Sequence, residues 1–323
     1  MRADLLKKIL DGDEFNVIDT HIPFYNTPKL FRSVGFRYKK GPLIRNVNRY
    51  IRKNLGEQSY DCIWTDKAVF ITYKTTKLIR SHTTKLVHFT PDPAFTYHRS
   101  IHFLNSLALY DFTITTKSYE LSDYRKILND DKVLITTQGF DKEIHKPWQP
   151  FNEKKEGVTF IGHWEKDREK NITALLNNHI KVVLAGRGWH KFYKRNLYPE
   201  FLDFRGESIL GPEYAQLLSE YTFSLGLLSK WVDEKHTTRT FEIPACGTAL
   251  ITEKNEEINR FFRNDEVIFY DTLQELVQKI KYYINHRDEL EILCLKGYDS
   301  VIHNGYDYES ILRGVLKRME IIH

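Results

Sequence analysis

Short apolar runs alternate with segments of helical periodicity along most of the chain. In the first half, the apolar runs that predict strands are "FNVIDTH", "YDCIWTD", "TKLVHFT", "FTITTK" and "KVLITTQ". Helical patterns lie between them, at 43–53, 74–80, 100–109 and 119–128. Strands that alternate with helices are typical of parallel sheets with crossover helices. The first half is therefore predicted to be one doubly wound α/β domain.

A second series of the same kind follows the polar segment "QGFDKEIHKPWQPFNEKKEG", which lacks periodicity and predicts an interdomain linker. Its predicted strands are "VTFIGHW", "IKVVLAG", "LDFRG", "TFSLGLL", "TALIT" and "EVIFYD". The chain is largely helical from Thr272, and we expect a final helix over 308–321 to return to the first domain. The predicted domains are 1–145, 146–307 and the returning segment 308–323.

A length of 323 residues also favours two domains, because one hydrophobic core rarely grows beyond about 250–300 residues. Open parallel sheets bind ligands at the carboxyl ends of their strands. Two such domains facing each other would create one cleft, and we expect the functional site there.

Composition indicates a globular protein, with 41% hydrophobic and 28% charged residues. No apolar run approaches the roughly 20 residues that span a bilayer, and the amino terminus is too charged for a secretory signal. We therefore expect a cytoplasmic protein without a transmembrane segment. Cys62, Cys246 and Cys294 are widely spaced and lack CxxC or Cys/His clustering, which argues against disulfides and zinc.

Positive charge is concentrated in the first half of the chain. Residues 1–150 hold 24 Lys and Arg against 16 Asp and Glu, whereas residues 151–323 hold 24 against 27. Between Lys29 and Lys53 there are nine basic residues and no acidic one. On a helix, Arg45, Arg49 and Arg52 would share an outer face. Such a face is usually only solvated, but it could also bind an anionic acceptor: nucleic acid, a phosphate-bearing glycan or lipid, or a membrane surface.

Glycine and basic residues follow several predicted strands of the second half. The residues of this kind are Gly162, His163 and Arg168 in "FIGHWEKDREK", Gly186, Arg187 and Gly188 in "VLAGRGWHKF", and Arg205 in "LDFRG". Glycine lets a backbone approach a ligand, and a following helix N-terminus attracts anions. Neither stretch is a complete GxGxxG or P-loop motif, so a structural turn explains each equally well.

The segment "RTFEIPACGTALIT" places Glu242 among apolar residues, where a carboxylate without partners would be costly. Thr238 can cap a short helix here, and Glu242 then lies in its first turn. The carboxylate could accept both hydroxyls of a ribose while Arg239 and the helix amides hold phosphates. Alternatively, Glu242 caps its own helix and pairs with Arg239. Glu234 precedes Glu242 in an E-x7-E spacing.

The second half resembles the CgeB-type (spore-maturation-like) glycosyltransferases, which are GT-B enzymes with two Rossmann-like domains. The resemblance rests on "FIGHWEKDRE", "VLAGRGW", "FRGESILGPEYAQLLSEYTFSLGLLS", "TTRTFEIPACGTALITE", "DEVIFYDTLQELVQKIKYYI" and "NHRDELEILCLKGYDSVI", across residues 157–302. The segments "VHFTPDP", "LALYDFTITTKSYELSDYRK" and "TQGFDKEIHKP" look like the first domain of the same group.

The resemblance implies that the second domain binds a nucleotide-diphosphate sugar. It places Glu242 on the ribose, Glu234 on the transferred sugar, and Arg168 and Arg239 on the diphosphate, with no metal or other cofactor. In the first domain, Asp92 follows a strand between two prolines, and this position suits a catalytic base aimed at an acceptor hydroxyl. His21 and His88 are further candidates for this role, and His21 is also predicted to bind the acceptor together with Arg45, Arg49 and Arg52.

The expected function is transfer of a sugar, most simply a hexose, from a UDP- or GDP-sugar to an acceptor hydroxyl. The E-x7-E spacing favours retention of anomeric configuration and a base at Asp92 favours inversion, so both outcomes stay open. Two other classes are a sugar-nucleotide epimerase of GT-B shape and a non-catalytic nucleic-acid-binding protein. The protein is expected in the cytoplasm, with peripheral attachment to the inner membrane surface as a second possibility.

Overall fold

The computed structural model describes residues 2–322 and divides into two compact units. Of the described residues, the first unit comprises 2–137 and 312–322, and the second comprises 138–311. Each unit contains its own parallel sheet. The predicted domain boundaries at residues 145 and 307 stay a prediction.

The first unit begins with four helices and then alternates strands with helices. Its elements are α1 (Arg2–Ile9), α2 (His21–Asn26), α3 (Lys29–Tyr38), α4 (Pro42–Asn54), β1 (Tyr60–Asp66), α5 (Tyr73–Ser81), β2 (Thr83–Thr90), α6 (Ile101–Ser106), β3 (Phe112–Thr115), α7 (Leu121–Arg125) and β4 (Val133–Ile135). The four strands lie in the order β1-β2-β3-β4, and all pairs are parallel. Leu86 and Val87 alternate between apolar clusters on the two sides of β2, as expected of a strand covered on both faces.

The predicted strand "FNVIDTH" is wrong, because residues 15–19 adopt no regular structure and His21 begins α2. Phe15 packs against the cluster on one side of the sheet and Ile18 against the cluster on the other. Val17 is exposed. The segment therefore passes from one layer to the other instead of pairing in the sheet.

The second unit repeats the strand–helix alternation around a larger sheet. Its elements are β5 (Lys155–Ile161), α8 (Lys166–Leu176), β6 (Val182–Ala185), α9 (His190–Arg195), β7 (Leu202–Phe204), α10 (Gly211–Glu220), β8 (Tyr221–Leu225), α11 (Arg239–Ala245), β9 (Ala249–Glu253), α12 (Ile258–Phe261), β10 (Ile268–Tyr270), α13 (Leu273–Asn285) and α14 (Arg287–His303). A last helix, α15 (Tyr308–Arg318), ends the chain.

All six predicted strands of the second half are present, in the order β10-β9-β8-β5-β6-β7 with every pair parallel. This order reverses direction between β5 and β8, which are neighbours in the sheet. In doubly wound sheets, ligands bind beyond the carboxyl ends of the strands at this switch point. We therefore expect a ligand-binding site near the residues that follow Ile161 and Leu225.

The predicted linker at 138–157 is not a free connection, because it packs within the second unit. Phe140 forms an isolated parallel bridge with Asp307, and its N–H donates to the Tyr306 carbonyl at 3.2 Å. The backbone N–H of Trp148 donates to Ser219 Oγ at 2.8 Å. Aperiodic sequence indicated a linker, but these hydrogen bonds arise from distant partners that periodicity does not show.

The carboxyl-terminal residues belong to the first unit. Leu312, Val315 and Leu316 join the cluster around Val87 on its sheet. Lys85 Nζ also donates to the carbonyl oxygen of Met319 at 2.6 Å. Within residues 2–322, no helix combines the length and the apolarity that crossing a bilayer requires.

Candidate functional site

Backbone hydrogen bonds connect the loops that follow β5, β6 and β7. The Gly162 N–H donates to the Ala185 carbonyl and the Gly186 N–H to the Gly206 carbonyl, each at 2.9 Å. Gly186 has a φ of +137°, and a Cβ there would overlap the Gly162 carbonyl oxygen. A side chain is therefore excluded at Gly186 by the neighbouring loop, which accounts for this glycine without any ligand.

Two arginines lie together at the switch point, and we call them the arginine pair: Arg168 on α8 and Arg239 at the start of α11. Each guanidinium carbon lies 5.8 Å from the centroid of the Phe160 ring. Arg168 is 6% exposed, and burial together with the charge of Arg239 lowers the pKa of Arg168 to about 10. The Nε atoms of both arginines are buried without a hydrogen-bond partner.

The two members of the arginine pair differ in their ion pairing. Glu165, which is buried, approaches Arg168 at 3.1 Å with one oxygen and accepts the Lys230 N–H at 3.0 Å with the other. Arg239 forms no ion pair in the described part of the chain, and its nitrogens donate only to the carbonyls of Ile161 and Leu227, at 3.4 and 3.3 Å. A half-buried cation without an ion-pair partner favours binding of an anion.

Glu242 lies on α11, is 9% exposed and receives two hydrogen bonds on one carboxylate oxygen. Tyr214 Oη donates to Glu242 Oε2 at 2.8 Å, and Thr238 Oγ1 donates to the same atom at 2.9 Å. Burial, and next the charge of Glu242, raises the pKa of Tyr214 well above its usual value, so its hydroxyl keeps the proton it donates. The suggested pairing of Glu242 with Arg239 is not found.

His145 approaches the second oxygen of Glu242, with Nε2 at 3.7 Å from Oε1. The ring Nδ1 accepts the backbone N–H of Asp141 at 3.0 Å. A nitrogen that accepts a hydrogen bond carries no proton, so the neutral ring bears its proton on Nε2. Since 3.7 Å exceeds hydrogen-bond length, Glu242 Oε1 keeps capacity to accept a further donor.

The loop between β8 and α11 holds the other residue of the E-x7-E spacing. Glu234 Oε2 accepts the Ser229 N–H at 2.9 Å, and the carboxylate acts on Arg168 by raising its pKa against the effect of burial. Two residues on, His236 is buried, accepts the Gln138 N–H at 3.0 Å through Nε2 and lies 3.2 Å from Glu257 through Nδ1. The loop is therefore fixed internally on both sides of Lys235.

In the first unit, Asp92 lies just beyond β2 in a charged cluster. Lys67 Nζ lies 2.6 Å and His98 Nε2 3.9 Å from Asp92 Oδ2. Lys67 follows β1 with a φ of +60°, which is uncommon for a residue with a side chain. Glu120, which is buried, accepts the N–H groups of Ala94 and Phe95 at 2.7 and 3.0 Å and so fixes the loop that carries Asp92.

Part of the chain is similar to a known protein family. Residues 168–317 match the family described as "Glycosyl transferase-like". The match spans 150 of the 323 residues. No curated protein sequence matches the chain.

Solved structures of GT-B glycosyltransferases share the fold at low identity. Anabaena HepE in complex with UDP-glucose is 15% identical with a TM-score of 0.65, over 87% of this chain and 83% of that one. Sucrose-phosphate synthase from Thermosynechococcus elongatus is 14% identical with a TM-score of 0.63, over 90% and 80%. A glycosyltransferase from Rickettsia africae is 13% identical with a TM-score of 0.57, over 96% and 84%. The predicted α/β fold with two parallel sheets of GT-B type is confirmed.

The second unit brings together part of the predicted donor set. Gly162 lies against the guanidinium of Arg239, because a Cβ on Gly162 would be 3.5 Å from Arg239 NH1. His163 is exposed, and its carbonyl accepts a hydrogen bond from Arg168 NH1 at 3.0 Å. Thr238 bonds Glu242. The predicted donor-site roles of these residues stay predictions.

Three other residues predicted to bind the donor are exposed on the surface. Arg187 and Gly188 are exposed in the loop after β6, and the Arg187 carbonyl accepts the Trp164 N–H at 2.9 Å. Arg205 pairs with Asp203 at 2.8 Å and interacts with Tyr221, the first residue of β8. Its side chain is therefore directed back along the sheet, and the structure does not bring it to the arginine pair.

The remaining candidates in the first unit are dispersed. His88 is fully buried in the core on β2, stacked on Phe103 at 4.2 Å, and does not face a strand end. His21 is exposed beside Asp19. The predicted outer face of α4 is confirmed as a surface: Arg45, Arg49 and Arg52 are exposed, while Ile44, Val47 and Ile51 are buried.

Sequence reasoning missed Glu165, Tyr214 and His145. Glu165 stands in "FIGHWEKDRE" directly before α8, where a buried acidic residue is unusual, but only its contact with Arg168 shows its role. Tyr214 and His145 come from segments distant in sequence and meet Glu242 only in the fold. Across residues 2–322, no group of three or more His, Cys, Asp or Glu side chains is arranged to hold a metal ion.

Proposed function

We propose that the protein transfers a sugar from a nucleotide-diphosphate donor, preferably a UDP-sugar, to an acceptor hydroxyl. The observation that carries this proposal is the arginine pair at the switch point of the second sheet. The adjacent guanidinium groups, with their unpartnered Nε atoms, suit a diphosphate, which has two negative phosphates and several acceptor oxygens. The diphosphate gains charge as the sugar leaves, so the buried Arg168 and the half-buried Arg239 would stabilise the transition state there.

Glu242 would hold the ribose. Tyr214 and Thr238 fix the carboxylate through Oε2, which leaves Oε1 to accept a ribose hydroxyl. A fixed acceptor pays little conformational entropy on binding, so this arrangement favours recognition of a ribose over a deoxyribose. Glu234, held near Arg168, would contact the transferred sugar.

UDP is the preferred nucleotide because a protein of the same fold, Anabaena HepE, is described in complex with UDP-glucose. We also propose membership of the CgeB-type group, on the motifs of residues 157–302. The arginine pair would take the role that a metal has in other transferases, so transfer would not need a metal ion. Neither the epimerase nor the nucleic-acid-binding alternative gains support from the fold.

Asp92 would act on the acceptor hydroxyl as base or as positioning group. The loop around it is fixed by Glu120, and Lys67 orients the carboxylate. The acceptor would be an anionic molecule, and the exposed arginines of α4 would help to bind it. Transfer would take place in the cytoplasm or at the inner membrane surface.

A thermodynamic cycle that combines one mutation with one change of ligand tests this function. Binding of UDP and of 2′,3′-dideoxy-UDP is measured by calorimetry for the wild type and for Glu242→Ala. The wild type should prefer UDP by about 1–3 kcal/mol, the cost of leaving the carboxylate unpaired, and Glu242→Ala should lose that preference. Tyr214→Phe serves as the matched variant, because it removes one hydroxyl, keeps the carboxylate and should keep part of the preference.

A preference for UDP that persists in Glu242→Ala would contradict the ribose role. Failure of the wild type to bind any of UDP, GDP or their hexose conjugates would contradict the function itself. Incubation with a UDP-hexose alone separates the epimerase, because epimerisation proceeds without an acceptor.

A further inference from the structure

The segment from Ile22 to Tyr38 in the first unit exposes an unusual number of large apolar side chains. Of the 22 such side chains exposed within residues 2–322, seven lie in this segment. They are Ile22, Tyr25, Leu30, Phe31, Val34, Phe36 and Tyr38. Single exposed apolar residues are ordinary on a protein surface, but a contiguous group marks an interaction site.

Helix α3 displays this group because it contacts its neighbour through a glycine. Gly35 is the one buried residue among Lys29–Tyr38, and a Cβ on it would lie 2.5 Å from Leu43 Cβ on α4. Leu30, Val34 and Tyr38 recur every four residues and so form one stripe, here called the α3 stripe. Their exposed fractions are 72, 43 and 61%. The apolar side of this amphipathic helix thus faces solvent instead of the core.

Positive charge surrounds the α3 stripe. The helix itself carries Lys29, Arg32 and Arg37, and the interval from Lys29 to Lys53 has nine basic residues and no acidic one. The guanidinium carbon of Arg32 lies 5.3 Å from the Tyr25 ring centroid, and that of Arg37 lies 5.7 Å from the Tyr38 ring centroid. A helix with exposed aliphatic and aromatic residues flanked by Lys and Arg is suited to a membrane interface.

We propose that the α3 stripe docks on an anionic lipid bilayer, with α3 lying in the plane of the interface. Charge complementarity favours this partner, since the flanking cations match acidic headgroups. In a dimer formed through this surface, the cationic residues of two copies would face each other and repel, which is unfavourable. Nucleic acid could pair with the cations through its phosphates, but it would leave the apolar side chains of Leu30 and Val34 exposed to water. Bilayer binding needs no nucleotide sugar and therefore stands independently of the proposed transfer.

Vesicle co-sedimentation of the full chain tests the proposal. Vesicles of phosphatidylcholine with about one third phosphatidylglycerol are compared with pure phosphatidylcholine, and binding to the anionic vesicles should be at least about tenfold tighter and weaken with salt. The double variant Leu30→Ser/Val34→Ser should bind at least about tenfold more weakly. The matched control Leu197→Ser/Leu210→Ser, at leucines 83 and 77% exposed in the second unit, should bind as the wild type does.

Three results would overturn the proposal. The first is binding by Leu30→Ser/Val34→Ser equal to that of the wild type, and the second is equal binding to neutral and anionic vesicles. The third is absence of vesicle binding by the wild type. A dimer that Leu30→Ser/Val34→Ser dissociates would then identify a second copy of the chain as the partner, and tight binding to double-stranded RNA would identify nucleic acid. UDP binding by the variant is measured in parallel, because it should be unchanged and so separates this proposal from the donor site.

Discussion

The guanidinium groups of Arg168 and Arg239 lie at the same distance, 5.8 Å, from the Phe160 ring, although 71 positions separate them in the sequence. Two like charges repel, and the lowered pKa of Arg168 reflects this repulsion together with burial. Within residues 2–322, Glu165 forms an ion pair with Arg168, and no carboxylate forms one with Arg239. An arrangement that is unfavourable in the free protein becomes favourable when a dianion binds.

Arg239→Gln should therefore weaken UDP binding by about tenfold or more without lowering the thermal stability of the free protein. The lost interaction is a charge-assisted hydrogen bond to a buried phosphate, which is worth about 1.5–3 kcal/mol. Calorimetric titration with UDP and thermal unfolding without ligand measure the two quantities. If transfer is reconstituted, turnover should fall more than donor affinity.

Arg205→Gln is the matched control for the arginine pair. Arg205 follows a strand of the same sheet, but it pairs with Asp203 and is directed toward Tyr221. UDP affinity should be unchanged in this variant. Equal losses in Arg205→Gln and Arg239→Gln would mean that the effect arises from net charge and not from a site.

Asp92→Asn should lower kcat of transfer by about a hundredfold or more while UDP affinity stays the same, because general-base catalysis contributes about 10²–10⁴. Asp123→Asn is a suitable control: it removes another lysine-paired carboxylate of the first unit, which lies 2.7 Å from Lys126. Steady-state kinetics with the identified acceptor measures the effect. Full activity of Asp92→Asn would show that Asp92 has no catalytic role and serves only as an ion-pair partner of Lys67.

Gly186→Ala should destabilise the second unit by about 3 kcal/mol or more, because the added Cβ overlaps the Gly162 carbonyl oxygen at a positive φ. Gly206→Ala provides the comparison, since Gly206 also has a positive φ, +94°, but has nothing within 4 Å of its Cβ position. This variant should lose only about 1–2 kcal/mol. Urea unfolding measures both, and equal losses would show that backbone conformation alone matters.

His88 predicts a dependence of stability on pH. Burial lowers its pKa to about 4 in the folded protein, from 6.5, so the unfolded chain binds more protons between these values. Stability from this group is fully present above pH 6.5 and is lost as the pH falls toward 4. Between pH 6.5 and pH 5 the loss should be about 1–2 kcal/mol. Urea unfolding of His88→Leu should show a correspondingly weaker dependence, and an unchanged dependence would place the titration elsewhere.

Sequence reasoning located the strands of the second sheet and the residues Glu242 and Arg239, because these features are local. Gly247, for example, follows α11 with a φ of +65°, a conformation that glycine commonly adopts after a helix. The same reasoning failed at "FNVIDTH", whose apolar residues serve two different layers. It also treated residues 138–157 as a linker, although their partners are distant in sequence, as in the bridge between Phe140 and Asp307, which are 167 positions apart.

Hydrophobic periodicity by itself determined the α/β class, the two parallel sheets and the apolar and cationic faces of α4, because the spacing of side chains on a strand or helix follows from the backbone. Only the tertiary structure decided which polar groups meet. Tyr214 and Thr238 donate to one oxygen of Glu242, and Glu165 pairs with Arg168. Arg239 has no ion-pair partner among the described residues. These pairings depend on how loops from distant parts of the chain converge at the ends of the strands, and local spacing carries no record of that convergence.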